Sequence, residues 1–233
     1  MPPAGRSAKA RRRTVAARNG PSPALRGAVT VLVLFAGVVG FGVYRASGDA
    51  GGDDVAVPPG ATASGVPIGR NDAPVTVDVY LDFQCPACRA YEQQSGGTLE
   101  ELVVSGAARV VYHPVAYLDR FSSTRYSSRS SAASGCAAEA GVFPRYVELL
   151  FAHQPPEGGD GLTEERLVAL GEQAGAGPGF AGCVASDRYA GWTAAMTEEA
   201  SRAGINATPT VLVDGREVER TDAALRAAVS AAS

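Results

Sequence analysis

One nine-residue stretch constrains this chain more than any other. In Val75-Thr-Val-Asp-Val-Tyr-Leu-Asp-Phe83, Val75, Val77, Val79, Leu81 and Phe83 alternate with polar or amphipathic neighbours. A period of two belongs to a strand with one buried face. The strand runs directly into Gln84-Cys85-Pro86-Ala87-Cys88, and a helical segment follows. A C-x-x-C at such a junction sits where the first helical turn has unpaired N–H groups and about half a positive elementary charge. Both stabilise a thiolate, the nucleophile of disulfide exchange. Pro86 in the first turn forfeits no intrahelical hydrogen bond. Cys88, one turn further in, can reach Cys85 to form or resolve a disulfide. A zinc site would need a second such pair or nearby histidines, and the chain has only His113 and His153; no metal is expected. A purely structural 85–88 disulfide would close too small a ring to constrain the unfolded chain much.

The pattern beyond the cysteines is helical to Val104, with a break expected at Gly96-Gly97. Arg109–His113 reads as a second strand, stopped by Pro114. Helices are then expected at 123–140, 143–152, 163–174, 177–185 and 188–203, with Thr163 as an N-cap and His153–Gly161 as an irregular connector. Strands return at Thr210–Val213 and Arg216–Glu219 around an Asp214-Gly215 turn. Thr221-Asp222 opens a last helix to about Ala231. The order is β-α-β, a block of helices, then β-β-α. It describes an α/β domain over 65–233 with a helical insertion at about 122–203.

Cys136 and Cys183 both fall in the helical block. A structural disulfide joining two of its helices is the simplest reading; a resolving pair and two free thiols are the alternatives. Near the end lies Gly204-Ile-Asn-Ala-Thr208-Pro209-Thr210. A proline just before an apolar strand supplies no ladder donor. A cis Thr208–Pro209 bond would turn the Thr208 backbone outward, as an edge for an extended peptide. Taken alone, the segment reads as an ordinary trans loop.

Asp82-Phe-Gln-Cys-Pro-Ala-Cys88 after a strand, a helical insertion, and Gly204-Ile-Asn-Ala-Thr-Pro-Thr210 before the last hairpin together resemble the DsbA-like thiol–disulfide oxidoreductases of the thioredoxin superfamily. The likeness is greatest to membrane-anchored bacterial members and covers roughly 66–230. It implies a thioredoxin-like fold, Cys85 as attacking cysteine, Cys88 as its buried partner, and Pro209 as a cis-proline facing them. Pro86, Ala87 and Thr208 would then touch substrate, and Cys136 would pair with Cys183. A redox-active disulfide would serve in place of any cofactor. Two departures stand out. The dipeptide is Pro86-Ala87 where the best-known oxidant has Pro-His, which suggests a milder oxidant. The position of a buried acid in relatives holds Val79, leaving Asp82 as the nearest carboxylate, either a proton relay or a strand-end hydrogen-bonding group.

The net charge of −3 hides an asymmetry. Residues 1–45 carry eight basic side chains and no acid, whereas the rest carry 13 arginines against 24 carboxylates, a net of −11. This domain is not expected to bind nucleic acid. Between the two lies Gly27–Tyr44, uncharged throughout. As a helix it would span roughly 27 Å at about 1.5 Å per residue, just long enough for a hydrocarbon core of about 30 Å. The basic tail, 1–26, predicts a cytoplasmic N-terminus. The expectation is a single-pass signal anchor in the cell membrane, a flexible linker at 45–64, and a catalytic domain outside the cytoplasm, where disulfides persist. A cleaved signal peptide is the alternative, but Gly48-Asp49-Ala50 is a poor cleavage site. The expected function is oxidation of reduced or unfolded exported polypeptides; the resemblance implies a quinone-linked membrane oxidase as reoxidant. No dimerisation segment is visible, so a monomer is expected. The alternatives are a reductase or isomerase on the same fold, or a non-catalytic binding module.

Overall fold

A computed structural model describes residues 55–233. The basic tail, the apolar run 27–44 and the first part of the linker lie outside the described residues. No helix among the described residues is long and apolar enough to cross a membrane.

A five-stranded sheet forms the centre, in the order β1-β3-β2-β4-β5. Strand β2 (Val75–Leu81) buries every second residue, as its alternation requires. It pairs in parallel with β3 (Ala108–Pro114), Val79 opposite Tyr112. Helix α1 (Pro86–Val104) connects the two. On its other side β2 pairs antiparallel with β4 (Thr210–Val213), which turns at Asp214-Gly215 into the two-residue β5 (Arg216–Glu217). Helix α7 (Asp222–Ala232) follows, capped by Thr221, whose hydroxyl accepts from the Ala224 N–H. Edge strand β1 (Val66–Ile68) pairs antiparallel with β3. Three residues carry too little alternation to announce a strand, so the sequence reading missed it.

Between β3 and β4 the chain makes a short 3-10 turn (Asp119–Phe121) and five helices: α2 (Tyr126–Glu139), α3 (Phe143–Ala152), α4 (Glu164–Ala174), α5 (Gly179–Ala185) and α6 (Ala190–Arg202). The Thr163 hydroxyl caps α4 by accepting from the Arg166 N–H. One apolar core links the strand valines to Phe143, Leu150, Phe180 and Trp192 of the insertion. Packing inside the insertion depends on Gly171: a Cβ there would stand 2.0 Å from the Phe180 ring.

Two expectations need correction. Helix α1 does not break at Gly96-Gly97 but runs through them for 19 residues. Tertiary packing along one flank, including buried Tyr91, Leu99 and Leu102, overrides the local propensity. The linker boundary at 64 also falls too late. Pro58 is buried and Ala61 packs on the core. The Trp192 indole N–H donates to the Thr62 carbonyl (2.8 Å), and a ring nitrogen of His113 lies 2.6 Å from the Ser64 carbonyl. Backbone carbonyls do this anchoring, so a Gly- and Pro-rich composition gave no warning of it.

Candidate active site

Strand β2 ends at Leu81, and the next four residues form a tight turn into α1. The Cys85 N–H donates to the Asp82 carbonyl (3.0 Å). Cys85 itself is the N-cap, in extended conformation, with Pro86 opening the helix. No side chain caps this end, so the cysteine sulfur meets the exposed N–H groups of the first turn. Cys85 and Cys88 are both free thiols here.

The two thiols are driven apart in acidity. A hydrogen bond from the Cys88 thiol pulls Cys85 down to about 6, against a burial effect that raises it; the Thr208 side chain and the N–H groups of Cys88 and Ala87 pull the same way. Cys88 is raised well above the ordinary thiol range, first by burial and then by Cys85. Its sulfur accepts the Asp82 N–H at 3.4 Å.

The Thr208–Pro209 peptide bond is cis. The Thr208 carbonyl accepts from the Cys85 thiol at 3.4 Å, which brings the start of β4 against the N-terminus of α1. Pro209 is buried behind Thr208, while Pro86 and Ala87 are exposed. An open groove of about 370 Å³ is lined by Cys85 together with Tyr117, Arg120, Glu157, Asn206 and Thr208. Cys88 does not line it. The Tyr117 hydroxyl donates to the Ile205 carbonyl (2.5 Å), tying two of the groove's loops together.

Asp82 is fully buried behind the cysteines. Its carboxylate accepts from the Gln84 N–H (2.8 Å), the Ser127 hydroxyl (2.7 Å) and the Leu118 N–H (2.9 Å). Burial pushes its pKa up to about 6 despite those three bonds, and charge on Cys85 adds to the rise. Sequence reasoning missed the other members of this cluster. The Gln154 side-chain amide donates to both the Phe83 and Cys85 carbonyls at 2.9 Å. The Gln84 amide donates to the Leu118 carbonyl (2.7 Å), and its own oxygen is buried without a partner. Ser127 and Gln154 come from opposite ends of the α2–α3 hairpin, too far along the chain for any motif to announce them.

Elsewhere, Cys136 of α2 and Cys183 of α5 form a disulfide across 47 residues. His113 is held between the Ser64 carbonyl and Asp78 and stacks on Tyr80. Among the described residues, no group of three or more His, Cys, Asp or Glu side chains is placed to hold a metal ion.

A dithiol at a strand-to-helix junction, faced by a cis-proline loop on a β-α-β/β-β-α frame, defines a thioredoxin-fold redox domain. A family model described as Thioredoxin matches residues 61–231. The chain is 32% identical to reduced DsbA from Mycobacterium tuberculosis, covering 72% of this chain and 91% of that one, with a TM-score of 0.65. It is 33% identical to reduced DsbG, a disulfide bond oxidoreductase of the same organism, covering 73% and 84% with a TM-score of 0.62. Over 164 residues it is also 31% identical to the serine/threonine-protein kinase PknE of Mycobacterium tuberculosis; this match takes in 66% of this chain but only 29% of that protein. The chain belongs to the thioredoxin family and, within it, to the DsbA-like thiol–disulfide oxidoreductases. Such proteins work through a redox-active disulfide without an external cofactor.

Proposed function

We propose that this protein is a dithiol oxidase acting on exported polypeptides outside the cytoplasm. The opposed acidities of Cys85 and Cys88 carry the reading. Stabilising the Cys85 thiolate stabilises the reduced form, which makes the Cys85–Cys88 disulfide the better electron acceptor. A substrate thiolate attacks Cys85 Sγ in the oxidised protein. The bond to Cys88 breaks, and Cys88 leaves as a thiolate that takes up a proton, as its raised pKa demands. A second substrate thiolate then attacks the substrate sulfur of the mixed disulfide and expels Cys85 as a thiolate. Two electrons pass to the protein, and the substrate gains one disulfide. The groove beside Thr208 offers the extended substrate chain a backbone edge, and Asp82 serves the turn as a buried hydrogen-bonding group with a pKa suited to proton exchange.

The split between a basic N-terminal segment and an acidic domain supports a topology in which 27–44 anchors the chain in the cell membrane, N-terminus inside. A quinone-linked membrane oxidase would then return the dithiol to the disulfide. The enzyme works as a monomer in this reading. A Cys88→Ser variant is expected to trap mixed disulfides through Cys85 with exported proteins, released by dithiothreitol. A folded variant that forms no thiol-dependent adducts would overturn the enzyme reading. Equilibration with glutathione gives the direction. A potential near about −120 to −180 mV belongs to an oxidant, and one near about −270 mV to a reductant.

A further inference from the structure

Gly96 and Gly97 stand in the middle of α1, and the helix runs through both. A glycine in a helix interior is destabilising relative to alanine. Nothing in the dithiol chemistry calls for the pair. Both glycines line a cavity of about 490 Å³ between α1, the β1 and β3 strands and α3. Ile68, Leu99, Val103, Tyr112 and Phe151 give it apolar walls. It shares no residue with the groove at Cys85. At its edge Val104 is 79% exposed, the most exposed large hydrophobic side chain among the described residues.

The cavity also has a charge of one sign. Glu92, Glu100 and Glu148 line it, and no lysine or arginine does. Glu148 has Arg145 as an ion-pair partner. Glu92 has no hydrogen-bond or ion-pair partner among the described residues, and burial, followed by the charge of Glu148, pushes its carboxyl up to about 7. Gly96 explains where that carboxylate lies: a Cβ at 96 would stand 2.9 Å from Glu92 Oε1. The helix thus gives up a side chain where the carboxylate folds over it. Ligand clefts of about 300–1,000 Å³ typically combine apolar walls with a few placed polar groups. A half-buried carboxylate without a partner is costly, and an incoming cation removes that cost.

We propose that this cavity binds a compact apolar ligand carrying one cationic group, its body against Leu99, Tyr112 and Phe151 and its charge on Glu92. An uncharged ligand of the same shape leaves the carboxylate unpaired. An anionic one meets three like charges. The site stands apart from the dithiol, so the inference does not depend on the redox reading.

The test is calorimetric titration of the full chain at about pH 8 with 1-adamantylmethylamine, 1-adamantylmethanol and 1-adamantanecarboxylate, blanked against protein-free carrier. The ammonium probe is expected to bind at least tenfold more tightly than the alcohol, with no binding of the carboxylate. Glu92→Gln keeps the shape and removes the charge, and should abolish the preference for the amine over the alcohol. Gly96→Ala, which displaces the carboxylate, should weaken amine binding several-fold. Equal affinity for amine and alcohol, a preference that survives Glu92→Gln, or absence of amine binding would each overturn the proposal.

Discussion

The protein holds two pairs of cysteines and treats them in opposite ways. In the thioredoxin frame, Cys85 and Cys88 are free thiols whose surroundings separate their acidities. In the insertion, Cys136 and Cys183 are joined and almost fully buried among side chains of α2 and α5. The chemistry of the sulfur is the same in both; the setting is not. One pair sits at a helix N-terminus on a groove, where N–H groups favour charge and a substrate can approach. The other sits within helices, with no such donors and only 2% of each cysteine exposed. A disulfide becomes reactive or structural according to the backbone that surrounds it.

The largest test removes the structural pair. A Cys136→Ala/Cys183→Ala variant should lose up to about 4 kcal/mol of stability by the chain-entropy model for a loop of this length, read from urea denaturation. If the two regions are independent, the alkylation rate of Cys85 stays within about twofold of the parent, taking about 0.4 kcal/mol as the limit of additivity. A larger change would break the comparison.

Asp82→Asn sharpens it. Asparagine presents an amide N–H₂ to one of the donors the carboxylate now accepts, leaving a buried polar group unpaired at a cost of about 1–3 kcal/mol. The pH dependence follows from the two shifts. Cys85 is depressed, so its contribution to the reduced form is present above the unfolded thiol value and lost as pH falls through about 6. Asp82 is raised, so its contribution is full below the ordinary carboxylate value and lost as pH rises through about 6. In the parent, reduced-form stability therefore falls between about 3.8 and 6 and climbs between about 6 and 9, the two windows meeting at about 6. In Asp82→Asn the fall between about 3.8 and 6 should vanish, leaving only the climb of the thiol from about 6 to 9. A profile unchanged from the parent would remove Asp82 from the coupled pair.

The smallest effect is expected from Gln154→Ala. Its amide joins the insertion to the cysteine turn through two carbonyls. Losing two neutral hydrogen bonds at about 1 kcal/mol each should lower stability modestly and change Cys85 alkylation a few-fold, with Cys136–Cys183 intact. No change in alkylation would mean the clamp supports the fold alone.

Much of this architecture was legible beforehand, and the illegible parts share a cause. Strand β2 was plain because every second residue faces the core. The insertion helices were plain because Thr163 and the irregular 153–161 connector mark their ends. Cys85 and Cys88 were visible because their chemistry requires adjacency. Strand β1 was not, being held by pairing to β3 rather than by its own pattern. Gln84, Ser127 and Gln154 were not, because they meet Asp82 and the cysteine turn only after the chain has folded. Gly96-Gly97 reads as a break because local propensity carries no trace of the buried Tyr91, Leu99 and Leu102 that override it.

The chain contains a single tryptophan. Trp192 is 1% exposed, and its indole N–H binds the Thr62 carbonyl of the incoming segment. Its tryptophan emission therefore has one origin. Emission should be blue-shifted while that segment lies docked on α6, and should move to the red once water reaches the indole. The protein thus carries its own optical gauge of whether the domain is seated on the chain that leads into it.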